Sequence, residues 1–350
     1  MIKFACHLLL VNLLVALFAL GVTCQTRQQP ASEPGSNSST LGQAQALLSA
    51  GKIDAAIEML KSLPTSSTTN PQVNYFLGLA YYQKSDYTRA IEHLSKSVRE
   101  LPEDSRQHRQ GIQMLGLSQY LLGHLKEAIP YLEQVVNWSP NNVDIAYVLG
   151  LSYIQTQNPN KAREAFARTF NVQPNSAPAY LINAQMMIRQ RFEELAEKEL
   201  QRALELDPKL PQANFLLGEL AIFRADIDRG IELLQNEIAI NPAFGMAYYR
   251  LGEAYTRQLK WDEAVAPLQK SIWLNPYFSG PYIVLGKVHL KKGDLPNAET
   301  VLRRALKMDP NNFSGHHLLA QVLQQANRLE EAKKEFELAD RLRTSADKEP

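Results

Sequence analysis

The chain has 350 residues, 45% hydrophobic and 21% charged. That composition is too apolar for a disordered chain, and the length suits two or three domains or one elongated array. Lys and Arg number 37 against 36 Asp and Glu, so the basic surplus that draws proteins to nucleic acid is missing. The two cysteines, Cys6 and Cys24, stand near the N-terminus, which excludes disulfide frameworks, cysteine-ligated zinc and thiol catalysis after residue 24.

Residues 1–24 begin with Met1-Ile2-Lys3 and run almost wholly apolar from Phe4 to Val22. Small residues at Ala19-x-Gly21 or Val22-x-Cys24 fit the spacing of a signal-peptide cleavage site. A retained membrane anchor is the alternative, since about 19 apolar residues can just span a bilayer. Lipid attachment at Cys24 is a third reading, although Thr23 is larger than the residue that usually precedes a lipidated cysteine. All three export the rest of the chain to the periplasm or the medium and confine membrane contact to the N-terminal segment. Without Lys3, residues 25–350 carry 36 basic and 36 acidic side chains, a balance of zero. Residues 25–40 hold no aromatic residue and predict a flexible linker with a reach of roughly 20 Å.

From residue 41 the sequence repeats. Ala56, Ala90, Ala128, Ala162, Ala196, Ala264, Ala298 and Ala332, with Gly230 in the one gap, recur every 34 residues apart from a single interval of 38. Twelve residues before each stands a small residue, such as Gly78, Gly150 or Gly286, and four residues after each stands a large apolar one, such as Leu94, Phe166 or Leu302. Prolines from Pro102 to Pro310 close the units. Apolar residues at helical spacing flank short breaks such as Gly123-His124 and Gly293-Asp294, so each unit is two amphipathic helices joined by a tight turn. The small residues let the paired backbones approach, and proline ends each unit because it cannot continue a helix. One such hairpin cannot bury its apolar face alone, whereas stacked neighbours can. The sequence therefore predicts an all-α, right-handed α-solenoid, a superhelix of nine tandem helix–turn–helix units over residues 41–346 with a short tail at 347–350.

Departures from the pattern carry expectations of their own. The first unit lacks its leucine and closing proline, holding Gln43 and Thr68, and should be an irregular cap. Gly230 should weaken its helix by about 1 kcal/mol. Pro130 and Pro267 should fall near helix starts, where a missing N–H matters least. In the ninth unit Asp340 occupies the place held by Val98, Val136, Phe170, Leu204, Ile238, Ile272 and Leu306 elsewhere, so nothing should pack beyond it. The 38-residue interval puts four extra residues between Pro102 and Gly116. These predict a first helix in unit three longer by about one turn, or roughly 6 Å, carrying Arg106, His108 and Arg109 outward.

A 34-residue helix–turn–helix with Leu-Gly, Tyr, Ala, an apolar residue and a terminal Pro resembles the tetratricopeptide repeat family. Residues 248–276, with Leu251-Gly252, Tyr255, Trp261, Ala264 and Pro276, are the closest copy. The resemblance implies that the first helices line a concave groove that takes a protein or peptide. Its groove positions here are Tyr75, Leu79, Tyr82, Tyr120, Leu121, Tyr147 and Leu151, then Phe215, Phe223, Tyr249 and Arg257, turning from aromatic to charged along the chain. Positions that clamp two carboxylates in some members hold Leu79, Leu117 and Tyr75, so that subtype is not expected.

No Gly-rich phosphate loop, nucleophile elbow or His-Glu-x-x-His pair occurs. His316 and His317 are adjacent and point to different sides of a helix, so no metal site is expected, and no cofactor. The reading is a non-catalytic exported scaffold for protein–protein interaction. Its alternatives are a lipoprotein-type subunit of a bacterial envelope assembly or export complex (pilus, outer-membrane insertion, polysaccharide export) and a recruiting arm of a separately encoded transferase.

Overall fold

In the computed structural model, residues 36–63 and 70–346 are described. They form α-helices and no strand. The chain divides into an N-terminal block, ending at Ala196, and a C-terminal block, from Glu197. The first contains α1 (Ser36–Ser49), α2 (Ile53–Lys61), α3 (Pro71–Gln83), α4 (Tyr87–Val98), α5 (Arg106–Leu121), α6 (Leu125–Trp138), α7 (Val143–Gln155), α8 (Pro159–Thr169) and α9 (Ala177–Arg189). Helix α10 (Glu193–Leu206) spans the division. The second contains α11 (Ala213–Phe223), α12 (Ile227–Ile240), α13 (Gly245–Arg257), α14 (Trp261–Leu274), α15 (Ser279–Lys291), α16 (Leu295–Met308), α17 (Phe313–Gln325) and α18 (Leu329–Ala346).

The periodic residues are the core. The eight anchor alanines are buried, as are Leu60, Leu94, Leu132, Phe166, Leu200, Leu234, Leu268 and Leu302. The small residue of the first helix is small because the large one of the second presses on it. A Cβ on Gly78 would lie 2.5 Å from Leu94 Cγ, and one on Gly286 the same distance from Leu302 Cγ, far inside van der Waals contact. Side-chain caps start many helices: Asn70, Asp86, Ser105, Asn142, Asn158, Ser176, Asp226, Asp294 and Asn312 each accept a hydrogen bond from a backbone N–H of the first turn.

Within every hairpin one residue, five before the anchor, has a left-handed backbone: Gly51, Ser85, Gly123, Gln157, Arg191, Ala225, Leu259, Gly293 and Asn327, with φ from 59° to 79°. This residue reverses the chain between the paired helices. Glycine supplies it without strain in only three of the nine.

Several expectations are corrected. Helix α1 begins at Ser36, so residues 36–40, assigned to the linker, continue the helix that seats Leu41 and Ala44 in the core. Pro130 and Pro267 lie inside α6 and α14, at the sixth and seventh positions. There each removes an intrahelical hydrogen bond, and the carbonyls so freed belong to Lys126 and Glu263, which are exposed to water. Gly230 is not merely a weak link. A Cβ there would collide with Ile222 Cγ1, so the glycine makes room for a larger partner. Helix α5 has 16 residues where α3, α7, α9, α13, α15 and α17 have 13, an extension of three residues or about 4.5 Å. Its Arg106 and Arg109 are exposed, but His108 is buried beside Trp138, with ring centroids 6.2 Å apart. The imidazole faces inward because His108 stands three, four and seven residues before Gly111, Ile112 and Leu115, on the buried face of α5. Residues 1–24, with Cys24, and Thr68 lie outside the described residues.

Candidate functional site

In the N-terminal block, α3, α5 and α7 are successive first helices. Leu79, Tyr82, Tyr120, Leu121 and Tyr147 on them are half-buried and offer partial surface. Tyr75 and Leu151 are buried and shape the wall behind. The helices are stitched at this level: the Tyr75 hydroxyl donates to Gln110 Oε1 at 2.7 Å, Tyr147 Oη lies 3.8 Å from Met186 Sδ, and Gln155 Nε2 donates to Gln190 Oε1 at 2.7 Å. Burial, helped by the neighbouring Tyr87, pushes the Tyr82 phenol up to about 12. Burial, helped by Tyr147, does the same for Tyr120. Both therefore stay neutral donors, and each offers an apolar ring with a polar tip, the combination that anchors interfaces.

In the C-terminal block, Phe215 is buried edge-on against Phe244, centroids 5.0 Å apart. Tyr249 is half-buried and meets Phe278 at 5.2 Å. Phe223 is 76% exposed, and Arg257 is exposed. Arg250, which sequence reasoning passed over, sits 2.7 Å from Glu219 and 2.8 Å from Glu253. These charges are largely mutually satisfied.

A cavity of about 270 Å³ opens at the start of α5, lined by Asp104, Arg106, Arg109, Gln110 and Gln113 and by Trp138 from α6. Sequence reasoning reached the two arginines through the four-residue insert. It missed Trp138, which stands in the last turn of α6 and is brought close only by the antiparallel pairing of the two helices. His316 and His317 serve packing: His316 is buried with Nδ1 2.6 Å from Glu335 Oε2 and Nε2 2.9 Å from the Pro310 carbonyl, while His317 meets Phe336. Among the described residues, no three His, Cys, Asp or Glu side chains gather as a metal ion would require, and no helix is long and apolar enough to cross a membrane.

Models of the tetratricopeptide repeat match residues 41–105, 120–185, 246–276 and 289–344, together more than half of the chain. BBSome complex member BBS4 of Bos taurus is 28% identical over 144 residues, 41% of this chain and 27% of that protein. Protein CTR9 homolog of Arabidopsis thaliana is 26% identical over 162 residues, 44% of this chain and 14% of that protein. The chain thus spans about a quarter and about a seventh of these relatives. Among solved structures, MamA 41-end from Desulfovibrio magneticus RS-1 is 20% identical with a TM-score of 0.45, covering 48% of this chain and 96% of that one.

Proposed function

Because the chain belongs to the tetratricopeptide repeat family, we propose that it is an exported, non-catalytic scaffold that holds a protein or peptide partner on its first helices. Tetratricopeptide arrays bind proteins or peptides as a class. The observation that carries the reading for this chain is the row Tyr82, Tyr120 and Tyr147, half-buried on three successive first helices. Export rests on the apolar segment of residues 1–24; sequencing the mature N-terminus separates its forms, since a start beyond residue 19 supports cleavage and an intact Met1 leaves the retained anchor, while recovery of the intact chain from the cytoplasm would remove export.

A partner captured on the chain from its source cell supplies the binding test. Changing Tyr82, Tyr120 and Tyr147 together to Ala should weaken that partner by a few kcal/mol, as truncated anchors do, with helical content nearly unchanged. Retained affinity would move binding away from this face.

A further inference from the structure

The break in the 34-residue beat makes a surface that no other repeat has. Residues 106, 109, 110 and 113 fall on one face of α5, and that face lines the cavity together with Asp104 and Trp138. Arg106 and Arg109 are exposed, and neither forms an ion pair with a described residue. The Arg109 guanidinium stands 5.7 Å from the Trp138 ring centroid, a cation–π contact that holds it at the cavity wall. Gln110 is oriented from behind. Its Oε1 accepts from the Tyr75 hydroxyl at 2.7 Å, which leaves its amide N–H groups to donate on the side it lines. The first turn of α5 adds the positive end of a helix dipole.

Two unpaired guanidinium groups and one fixed amide donor suit a carboxylate. The indole suits the methylene arm that carries it. Asp104 argues against a dianion such as phosphate, which it would repel more strongly than a carboxylate, and it offers an acceptor for a backbone N–H beside the acid. We propose that this cavity binds an acidic side chain of an extended peptide, its carboxylate between Arg106 and Arg109 and its aliphatic arm against Trp138. The partner segment would then be acidic. The inference rests on the scaffold reading, yet its test uses neither the natural partner nor the tyrosine row, so the two can fail separately.

The chain has three tryptophans, so 5-fluorotryptophan labelling of the full-length protein gives three ¹⁹F signals, with Trp138 assigned by Trp138→Phe. Acetyl-Gly-Glu-Glu-Leu-Gly-amide should shift the Trp138 signal saturably, with half-effect at about 1 mM, and leave Trp261 and Trp273 unmoved. The peptide with Gln in place of both Glu should fail to do so. The double variant Arg106→Gln/Arg109→Gln should weaken the response at least about 10-fold, and added salt should weaken it in the parent. An equal response to the Gln peptide, an unchanged response in the variant, or no shift up to about 10 mM would overturn the proposal. A response to inorganic phosphate as strong as to the Glu peptide would overturn the peptide assignment. Should the double variant melt early, Arg106→Gln alone carries the same test, because that side chain is exposed.

Discussion

Glu237 shows how far a single residue can escape its sequence. It stands on α12, on the face where other second helices place Ser97, Val135, Ala203, Ser271 or Ala305, and it is fully buried. Helix α11 begins after Gln212, whose φ of 72° leaves no side-chain cap. Glu237 caps it from the following hairpin partner instead, Oε1 accepting from the Gln212 N–H at 2.8 Å and Oε2 from the Phe215 N–H at 3.3 Å. A carboxylate at a helix N-terminus is favourable electrostatically, and removing it strands the buried Phe215 N–H and the part-buried Gln212 N–H. Glu237→Ala should therefore lower the opening free energy of α11 by about 2–4 kcal/mol, read as faster native-state hydrogen exchange of its amides, with Glu237→Gln in between. No change in exchange would show that the cap is dispensable. In the sequence this residue is indistinguishable from a solvated glutamate, because only the folded hairpin tells which acidic residue faces an uncapped helix start. Tyr82 and Tyr120 were legible because both stand eight residues before an anchor alanine, and Tyr147 because it stands fifteen before one, at the phase of Tyr75. The burial of Tyr75, Leu151 and Phe215 was not, since it depends on how neighbouring helices lean.

At the scale of elements, the turns are the least optimised part of the design. Ala225 is exposed and holds φ at 66°, a conformation that costs an L-residue about 1–2 kcal/mol. Glycine gives back roughly 0.5–1 kcal/mol of that in added unfolded-state freedom. Ala225→Gly should stabilise the α11–α12 hairpin by up to about 1 kcal/mol, visible as slower exchange in both helices. Faster exchange would mean that the turn is not strained. The sequence marked the turns at Gly123 and Gly293, and among the nine turn residues only Gly51, Gly123 and Gly293 announce their backbone by residue type. The extra length of α5 was legible for a similar reason, because an insert close to one helical turn preserves the apolar face. The inward side of His108 follows from its place four and seven residues before the buried Ile112 and Leu115, while its polar residue type points to the surface.

For the whole molecule, periodicity specified the fold and the ends of the pattern specified where it stops. Asp340 on α18 is exposed and accepts from Arg343 at 3.2 Å, whereas the equivalent Val136 is buried and Leu306 packs into the core. Asp340→Leu should give the last helix an apolar strip with no partner, and sedimentation at high concentration should show self-association. A variant that stays in the oligomeric state of the parent would remove the argument for a terminal cap. Phe170, at the same phase on the N-terminal side, is 45% exposed, so residue type alone does not report burial even here.

The close fit of Gly78 on Leu94 has a consequence in time. Those residues are 16 apart in sequence, and among the described residues the well-packed helix pairs join neighbours or next-but-one neighbours along the chain. Loops closed by such contacts are short, so little chain entropy has to be surrendered before each contact forms. Chains built this way collapse fast, and order spreads from whichever hairpin forms first. A growing polypeptide can accordingly settle its earliest hairpins before the later ones have been synthesised, which suits a chain that emerges from one end.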